Sequence, residues 1–399
     1  MFEKYIICRT CGRKYPARER VFRCVKCRGS LEMVFDYKRM KRKVTLNLLR
    51  SREFNHSRYA EFYPVKKLVS IKEGGTPLIR SGNIEHMFSL DFQLWFKNES
   101  LNPSGSFKDR GSSVEVAKAR EFGAKKVVCA STGNMGASVS AYSGIANLEC
   151  YIFTPEDAVP VKLEQILGYG AKLYKISGSY SQAEKLVEVA NKKYGIYLLG
   201  DYLHRREGTK SVGFEIMDQL DFKTKGTYIV SPVGNGTLIS AVWKSIKEFE
   251  TLGFIKHRPV LIGIQAEGCN PVVKAYKTGG EVKPAGTAKT VAVAIECGDP
   301  LDGERAKESV KESGGFMESV SDGEILKARE LLAKREGLFA EPAGAVSLAG
   351  LLKVRKRIKP GSRVVCLVTG HGLKTPKTDV QGRETRIRYD PEALEEIFG

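Results

Sequence analysis

The sequence predicts an α/β protein of two lobes with parallel-rich sheets, preceded by a small zinc ribbon at the N-terminus. Three observations carry this. Short apolar runs alternate with helix-like stretches from about residue 75 onward, two Cys-x-x-Cys pairs stand ahead of them, and several of the apolar runs end in loops rich in glycine and small polar residues. With 399 residues, 42% of them hydrophobic, the chain can bury a sizeable core over two or three domains, which excludes a disordered tail. No apolar stretch approaches the length of a membrane span and Met1–Cys8 lacks the apolar core of a secretion signal, so the expectation is a soluble, cytoplasmic protein.

The first element is the ribbon, over residues 1–37. Cys8, Cys11, Cys24 and Cys27 form two Cys-x-x-Cys pairs twelve residues apart. Each pair makes a tight turn, and the two together bring four thiolates around one tetrahedral ion. So short a segment has too little core to fold without a staple, and the Arg and Lys residues around the pairs favour thiolates. Zinc is the expected ion, with two disulfides or a lost metal as the other reading. A closed four-Cys site leaves no position for substrate, so the metal is structural. The other cysteines, Cys129, Cys150, Cys269, Cys297 and Cys366, mostly lie in apolar runs and read as core.

The same region holds most of the charge. Residues 1–60 carry 17 Lys and Arg against 5 Asp and Glu, which is +12 of the total +19. Clusters such as Lys38-Arg39 and Lys41-Arg42-Lys43 suit either phosphate neutralisation on a nucleic acid or a solvated surface.

Residues 38–75 are mixed and charged, and a turn at Gly74-Gly75-Thr76-Pro77 opens the alternating region. Leu94–Lys97 reads as a strand. Residues 108–122 read as a helix, with Val114, Ala117 and Phe122 apolar and Gly123 closing it, and Lys126–Ala130 as a buried strand. The rhythm continues through a strand at Cys150–Phe153, a helix near 158–169, a strand at Lys172–Ile176 and a helix over 180–194. Further strands fall at Tyr228–Val230, Val260–Ile264 and Arg363–Val368. Strands alternating with helices argue for parallel sheets covered on both faces.

Ligands of such sheets bind beyond the C-terminal ends of the strands, and four of these ends carry unusual loops. They are 102–110 (Asn-Pro-Ser-Gly-Ser-Phe-Lys-Asp-Arg), 131–136 (Ser-Thr-Gly-Asn-Met-Gly), 234–237 (Gly-Asn-Gly-Thr) and 369–372 (Thr-Gly-His-Gly). Glycine lets backbone amides approach an anion, and a following helix adds its positive end. None matches G-x-x-x-x-G-K-[ST] or G-x-G-x-x-G after an early strand, and neither H-E-x-x-H nor G-x-S-x-G occurs.

The 102–110 segment resembles the pyridoxal-phosphate lysine motif of the threonine synthase family. Ser131–Asn134, the 234–237 loop, Glu341-Pro342-Ala343-Gly344-Ala345 and Thr369–Lys374 occur in that family's order and spacing, and the ribbon resembles that of many of its members. The resemblance covers essentially the chain after residue 70. It implies a two-lobed fold type II pyridoxal-phosphate enzyme, tryptophan synthase β-like, with residues 38–90 and 206–399 in the large lobe and 91–205 in the small one.

By this resemblance Lys108 forms the Schiff base with pyridoxal 5'-phosphate and then shuttles protons as a free amine. Asn134 meets the cofactor ring hydroxyl, Gly234, Asn235, Gly236 and Thr237 bind its phosphate, and the hydroxyl of Thr369 faces the pyridine nitrogen. A neutral hydroxyl there suits β- and γ-elimination and replacement more than transamination. The implied reaction turns O-phosphohomoserine and water into threonine and phosphate. Ser131, Thr132 and Arg205, with Ser106, are the candidates for substrate carboxylate and phosphate, since Arg offers a fixed fork to such oxygens. His371 reads as a positioning or packing residue.

Two departures bear on the substrate. The family's Gly-Asn-Ala-Gly-Asn is one residue shorter here, as Gly234–Thr237, and the Asn-Pro before the arginine is Tyr202-Leu203. A cysteate or cysteine synthase acting on O-phosphoserine, or a threonine dehydratase, stays open as an alternative enzyme, and a nucleic-acid-binding zinc-ribbon protein as a non-enzyme. The resemblance also suggests a homodimer.

Overall fold

The computed structural model describes residues 1–156, 158–178 and 180–375. The ribbon is an antiparallel sheet of order β2-β1-β3, from β1 (Glu3–Cys8), β2 (Lys14–Pro16) and β3 (Leu31–Phe35). Along β3 the alternation Leu-Glu-Met-Val-Phe puts Leu31, Met33 and Phe35 inward, as a one-faced strand requires. These side chains share a continuous core with Trp243 and Phe249 of the main body, so the ribbon is docked on it.

The charged stretch after the ribbon folds into short helices, Tyr37–Lys43 and Leu46–Arg50, followed by a 3-10 segment, His56–Phe62. Asp36 and Thr45 cap the first two by accepting from the N–H groups of Arg39 and Leu48. Lys41, Arg42 and Lys43 form the last turn of the first helix, where cations meet its negative end.

Beyond it lie two sheets. The larger has the order β12-β11-β10-β13-β5-β4, from β4 (Leu78–Arg80), β5 (Gln93–Asn98), β10 (Thr227–Pro232), β11 (Val260–Ala266), β12 (Phe316–Val320) and β13 (Arg363–Val368). All its pairs are parallel except β4 with β5. The smaller has the order β8-β7-β6-β9, all parallel, from β6 (Lys126–Ala130), β7 (Glu149–Pro155), β8 (Lys172–Ile176) and β9 (Tyr197–Leu198). Helices cover both sheets, which is why β10 is buried along its whole length and β13 along all but its first residue. Strand β5 falls inside the 91–205 span assigned to the small lobe, yet it pairs with β13 along six residues in the larger sheet. The chain enters the smaller sheet only at β6, after the helix Lys108–Glu121 has crossed between the two.

Among the scattered cysteines, Cys129, Cys150, Cys269 and Cys366 are buried as core residues, whereas Cys297 is half-buried and faces the cleft described next.

Candidate active site

The loops after β5, β6, β10 and β13 meet in one cleft between the two sheets, of about 950 Å³ counting the solvent at its mouth. Lys108 stands on its floor as the first residue of the helix Lys108–Glu121. The start of that helix is held by its neighbours. The Asp109 carboxylate accepts from the Ser104 N–H (2.7 Å) and hydroxyl (2.5 Å), and Arg110, fully buried, donates to Glu99 and Glu215 at 2.6 Å each. A buried guanidinium paired on both sides is rigid, because any excursion strands a charge without water. The Lys108 amine is thereby fixed at its root while its tip projects into the cleft. Nζ lies 4.0 Å from Asp201 Oδ1 and 4.9 Å from the centre of the Phe107 ring.

Asp201 follows β9 by way of Leu199 and Gly200, and its Oδ1 has no hydrogen-bond donor although it is buried. Burial works against its charge, yet Lys108 first, then Arg205 and the Asn235 amide, hold its carboxyl below the usual range.

From the smaller sheet come Ser131, Thr132, Gly133 and Asn134, at the turn from β6 into the helix Asn134–Ile145. The Ser131 hydroxyl accepts from the N–H groups of Gly133 (3.1 Å) and Gly136 (2.7 Å), so its lone pairs shape this turn and leave only its proton for a ligand. Asn134 donates to Glu341 Oε1 at 2.6 Å, and its own Oδ1 is buried without a partner. Glu341 comes from the other side of the cleft, just before the helix Pro342–Val354. Its second oxygen takes Lys162 at 3.1 Å, a pair with both side chains almost wholly buried. One carboxylate thus ties two residues of the smaller sheet's layer to the larger.

The 234–237 loop opens the helix Thr237–Leu252. Gly236 has φ +93°, and a Cβ on it would stand 2.5 Å from the Asp302 carbonyl oxygen, so only glycine fits. The Thr237 hydroxyl donates to Asp302 Oδ2 at 3.1 Å. What this loop offers an anion is therefore backbone N–H groups at a helix start, rather than that hydroxyl. Thr369, at the end of β13, completes the wall.

Two sequence candidates do not line the cleft. Arg205 is buried between the Lys108 helix and the helix Leu203–Thr209, bonded to Glu115, to Ser112 Oγ (3.0 Å) and to the Lys108 carbonyl oxygen (3.2 Å). Its two terminal nitrogens are already engaged by a carboxylate, a hydroxyl and a carbonyl oxygen, and it supports Lys108 from behind. Ser106 is fully buried in a backbone bridge to Gly370, its hydroxyl unpartnered. His371 accepts from the Leu373 N–H and meets Phe339 edge-on. Asp201, Lys162, Tyr180 and Cys297 face the cleft without having been singled out in the sequence. Only Asp201 had a signal, its place after a strand end.

In the ribbon, the four Sγ atoms of Cys8, Cys11, Cys24 and Cys27 lie within 4.8 Å of one another, with Cys8 to Cys27 at 3.5 Å and Cys11 to Cys24 at 3.6 Å. A disulfide needs about 2.05 Å, so these are free thiols. Burial opposes ionisation of Cys24, but the Tyr15 hydroxyl at 3.0 Å and the N–H groups of Cys27 and Lys26 prevail and bring its thiol down to about 6.

Residues 69–370 match the family model of pyridoxal-phosphate dependent enzymes. The chain is 43% identical over 391 residues to a threonine synthase from Methanocaldococcus jannaschii, covering 96% of each. It is 41% identical over 404 residues to one from Methanosarcina acetivorans, covering 99% of each. Among solved structures, a serine racemase from maize superposes with a TM-score of 0.65 at 23% identity, over 74% of this chain and 88% of that one, a likeness of fold.

Proposed function

The chain belongs to the threonine synthase family of pyridoxal-phosphate-dependent enzymes, and from that premise we propose how its own residues convert O-phosphohomoserine and water to L-threonine and phosphate. The observation that carries this reading is the convergence of Lys108, Asn134, the 234–237 loop and Thr369 on one cleft.

These residues fit pyridoxal phosphate. An amine stands on the cleft floor, a glycine loop that tolerates no Cβ opens a 16-residue helix, and the buried Asn134 Oδ1 and Asp201 Oδ1 both await a donor. Lys108, Asn134, Gly234, Asn235, Gly236, Thr237 and Thr369 would hold the group. When bound, it supplies a carbonyl that condenses with amines and a conjugated ring that spreads carbanion charge.

Lys108 Nζ removes and returns protons, its reach set by the anchored helix start and by Asp201, which balances the ammonium form across 4.0 Å. Thr369 presents a neutral hydroxyl and enforces no charge on the group it faces. Lys162 is, beside Lys108, the cation among the described lining residues, and it takes the substrate's anionic end together with Thr132 and the Ser131 proton. The Glu341 bridge to Asn134 and Lys162 holds the two sides of the cleft together.

Zinc in the ribbon is part of this reading. Tetrahedral Zn–S bonds of about 2.3 Å imply sulfurs roughly 3.8 Å apart, close to the spacing of the four thiols. A cytoplasmic homodimer is the assembly it takes, which sedimentation velocity tests.

The direct test is phosphate release by the cofactor-loaded protein from O-phosphohomoserine alone, with the amino acid identified. Threonine is the expected product. Turnover of O-phosphoserine only, and only with sulfite or sulfide added, would overturn the substrate assignment.

A further inference from the structure

Asp302 stands where an aspartate ordinarily caps a helix, just before Gly303–Glu312, yet its side chain makes no capping bond. Its carboxylate is turned the other way and is wholly engaged. Arg206 holds both oxygens at 2.7 Å, Ser30 of the ribbon donates to Oδ1 at 2.9 Å, and Thr237 donates to Oδ2. The Asp302 N–H donates to the Asn235 carbonyl oxygen at 3.0 Å, and the Leu301 N–H to the Asn235 side chain at 2.5 Å. Arg206 reaches back to the ribbon as well, donating to the Leu31 carbonyl oxygen at 2.7 Å and to Ser30 Oγ at 3.1 Å. Arg206 and Asp302 are each 1% exposed.

A local preference surrendered by a buried charge calls for a compensating gain. Here the gain is a rigid connection: ribbon backbone to Arg206, Arg206 to Asp302, Asp302 to Asn235 and Thr237 of the 234–237 loop, and Asn235 on to Asp201 at 2.8 Å. We propose that Asp302 is a positioning residue through which the docked ribbon sets the 234–237 loop, and with it the affinity for the cofactor phosphate. The proposal rests on the reading that this loop takes that phosphate.

The test measures cofactor affinity, by titrating cofactor-stripped full-length protein with pyridoxal phosphate and reading absorbance, together with the 31P resonance of the bound phosphate. Asp302→Asn keeps the shape and weakens the Arg206 pair, and should raise the dissociation constant about tenfold and shift the resonance. Ser30→Ala, which alters only the ribbon side, should raise it about threefold with a shift of the same sign. Arg28→Ala removes a ribbon contact to Glu188 far from the loop and should leave both readings in place. A wild-type resonance and affinity in both Asp302→Asn and Ser30→Ala would overturn the coupling. Gly236→Ala separates the two ideas, because a Cβ there would stand 2.5 Å from the Asp302 carbonyl oxygen and displace the loop's own backbone N–H groups. If it weakens binding while those two variants do not, the coupling alone fails; if it too has no effect, the phosphate assignment fails and takes the coupling with it.

Discussion

At the scale of single residues, the cleft separates groups that act from groups that hold. Lys108 makes no close bond through its amine, so Lys108→Ala should lower turnover by about a thousandfold or more and abolish the bound cofactor's absorbance band, with little change in Tm. A retained band would move the role to another lysine. Lys162 faces the cleft, and Lys162→Gln should raise KM for the phosphorylated substrate about tenfold, which steady-state kinetics reads directly. Arg205 is a different case, because its loss strands Glu115, which burial already pushes up to about 7 despite the guanidinium. Arg205→Met should cost about 3 kcal/mol at pH 8. The folded variant then binds a proton on Glu115 that the unfolded chain, with an ordinary carboxylate, releases above about pH 4.5. Its stability therefore falls as pH rises from there, and the penalty is smaller at pH 5. Denaturant titrations at the two pH values check this, and adding Glu115→Gln should remove the pH dependence.

At the scale of elements, the helix Tyr180–Tyr194 sits between the cleft and the ribbon and carries a strained charge. Burial, and then Asp201, push the Glu184 carboxyl up to about 7, against the pull of Arg23. A raised folded value means that folding takes up a proton between about pH 4.5 and 7, so Glu184 costs stability that is fully felt above 7 and absent below 4.5. Glu184→Gln should therefore stabilise the protein by about 1–2 kcal/mol at pH 8 and leave it unchanged at pH 4, as paired thermal melts would show. Strands β5, β6, β7, β8, β10, β11 and β13 and the helices Lys108–Glu121, Pro160–Gly168 and Tyr180–Tyr194 were legible at this scale, because period and length separate a five-residue apolar run from a fifteen-residue amphipathic one. The stretch 38–75 was not. Its short helices are held by caps and by aromatic packing of Tyr59 and Phe62 on Phe214 and Phe249, partners more than 150 residues away.

At the scale of the whole molecule, the basic ribbon is a clasp. Arg23 and Arg28 both pair with Glu188 in the smaller sheet's layer, while Glu32 pairs with Arg305 and the Met33 carbonyl oxygen receives Lys244 from the larger. Much of the positive charge that in the sequence suits a nucleic acid is thus met by the chain's own carboxylates and rings, as with Arg20 over Tyr197. Metal removal should propagate accordingly. Chelation is expected to release one zinc per chain, lower Tm by several degrees and weaken cofactor binding, which metal analysis and calorimetry on the same sample can follow.

The sequence by itself determined seven strands of the two sheets, the four-thiol cluster and the loops at the strand ends. Each of these is written in local pattern: apolar period, Cys spacing, or glycine followed by a helix start. The tertiary structure alone decided which charged residues work. Arg205, Arg110 and Asp302 look like surface or ligand-binding groups in one dimension, and each is spent on a buried partner brought from at least 90 residues away. What a charge can still meet depends on the counterion folding gives it and on the surface where folding leaves it, and no window of local sequence contains either. Lys162 has a counterion too, Glu341 at 3.1 Å, but helix and sheet packing, rather than any motif, leave it lining the cleft, where Arg205, Arg110 and Asp302 do not reach.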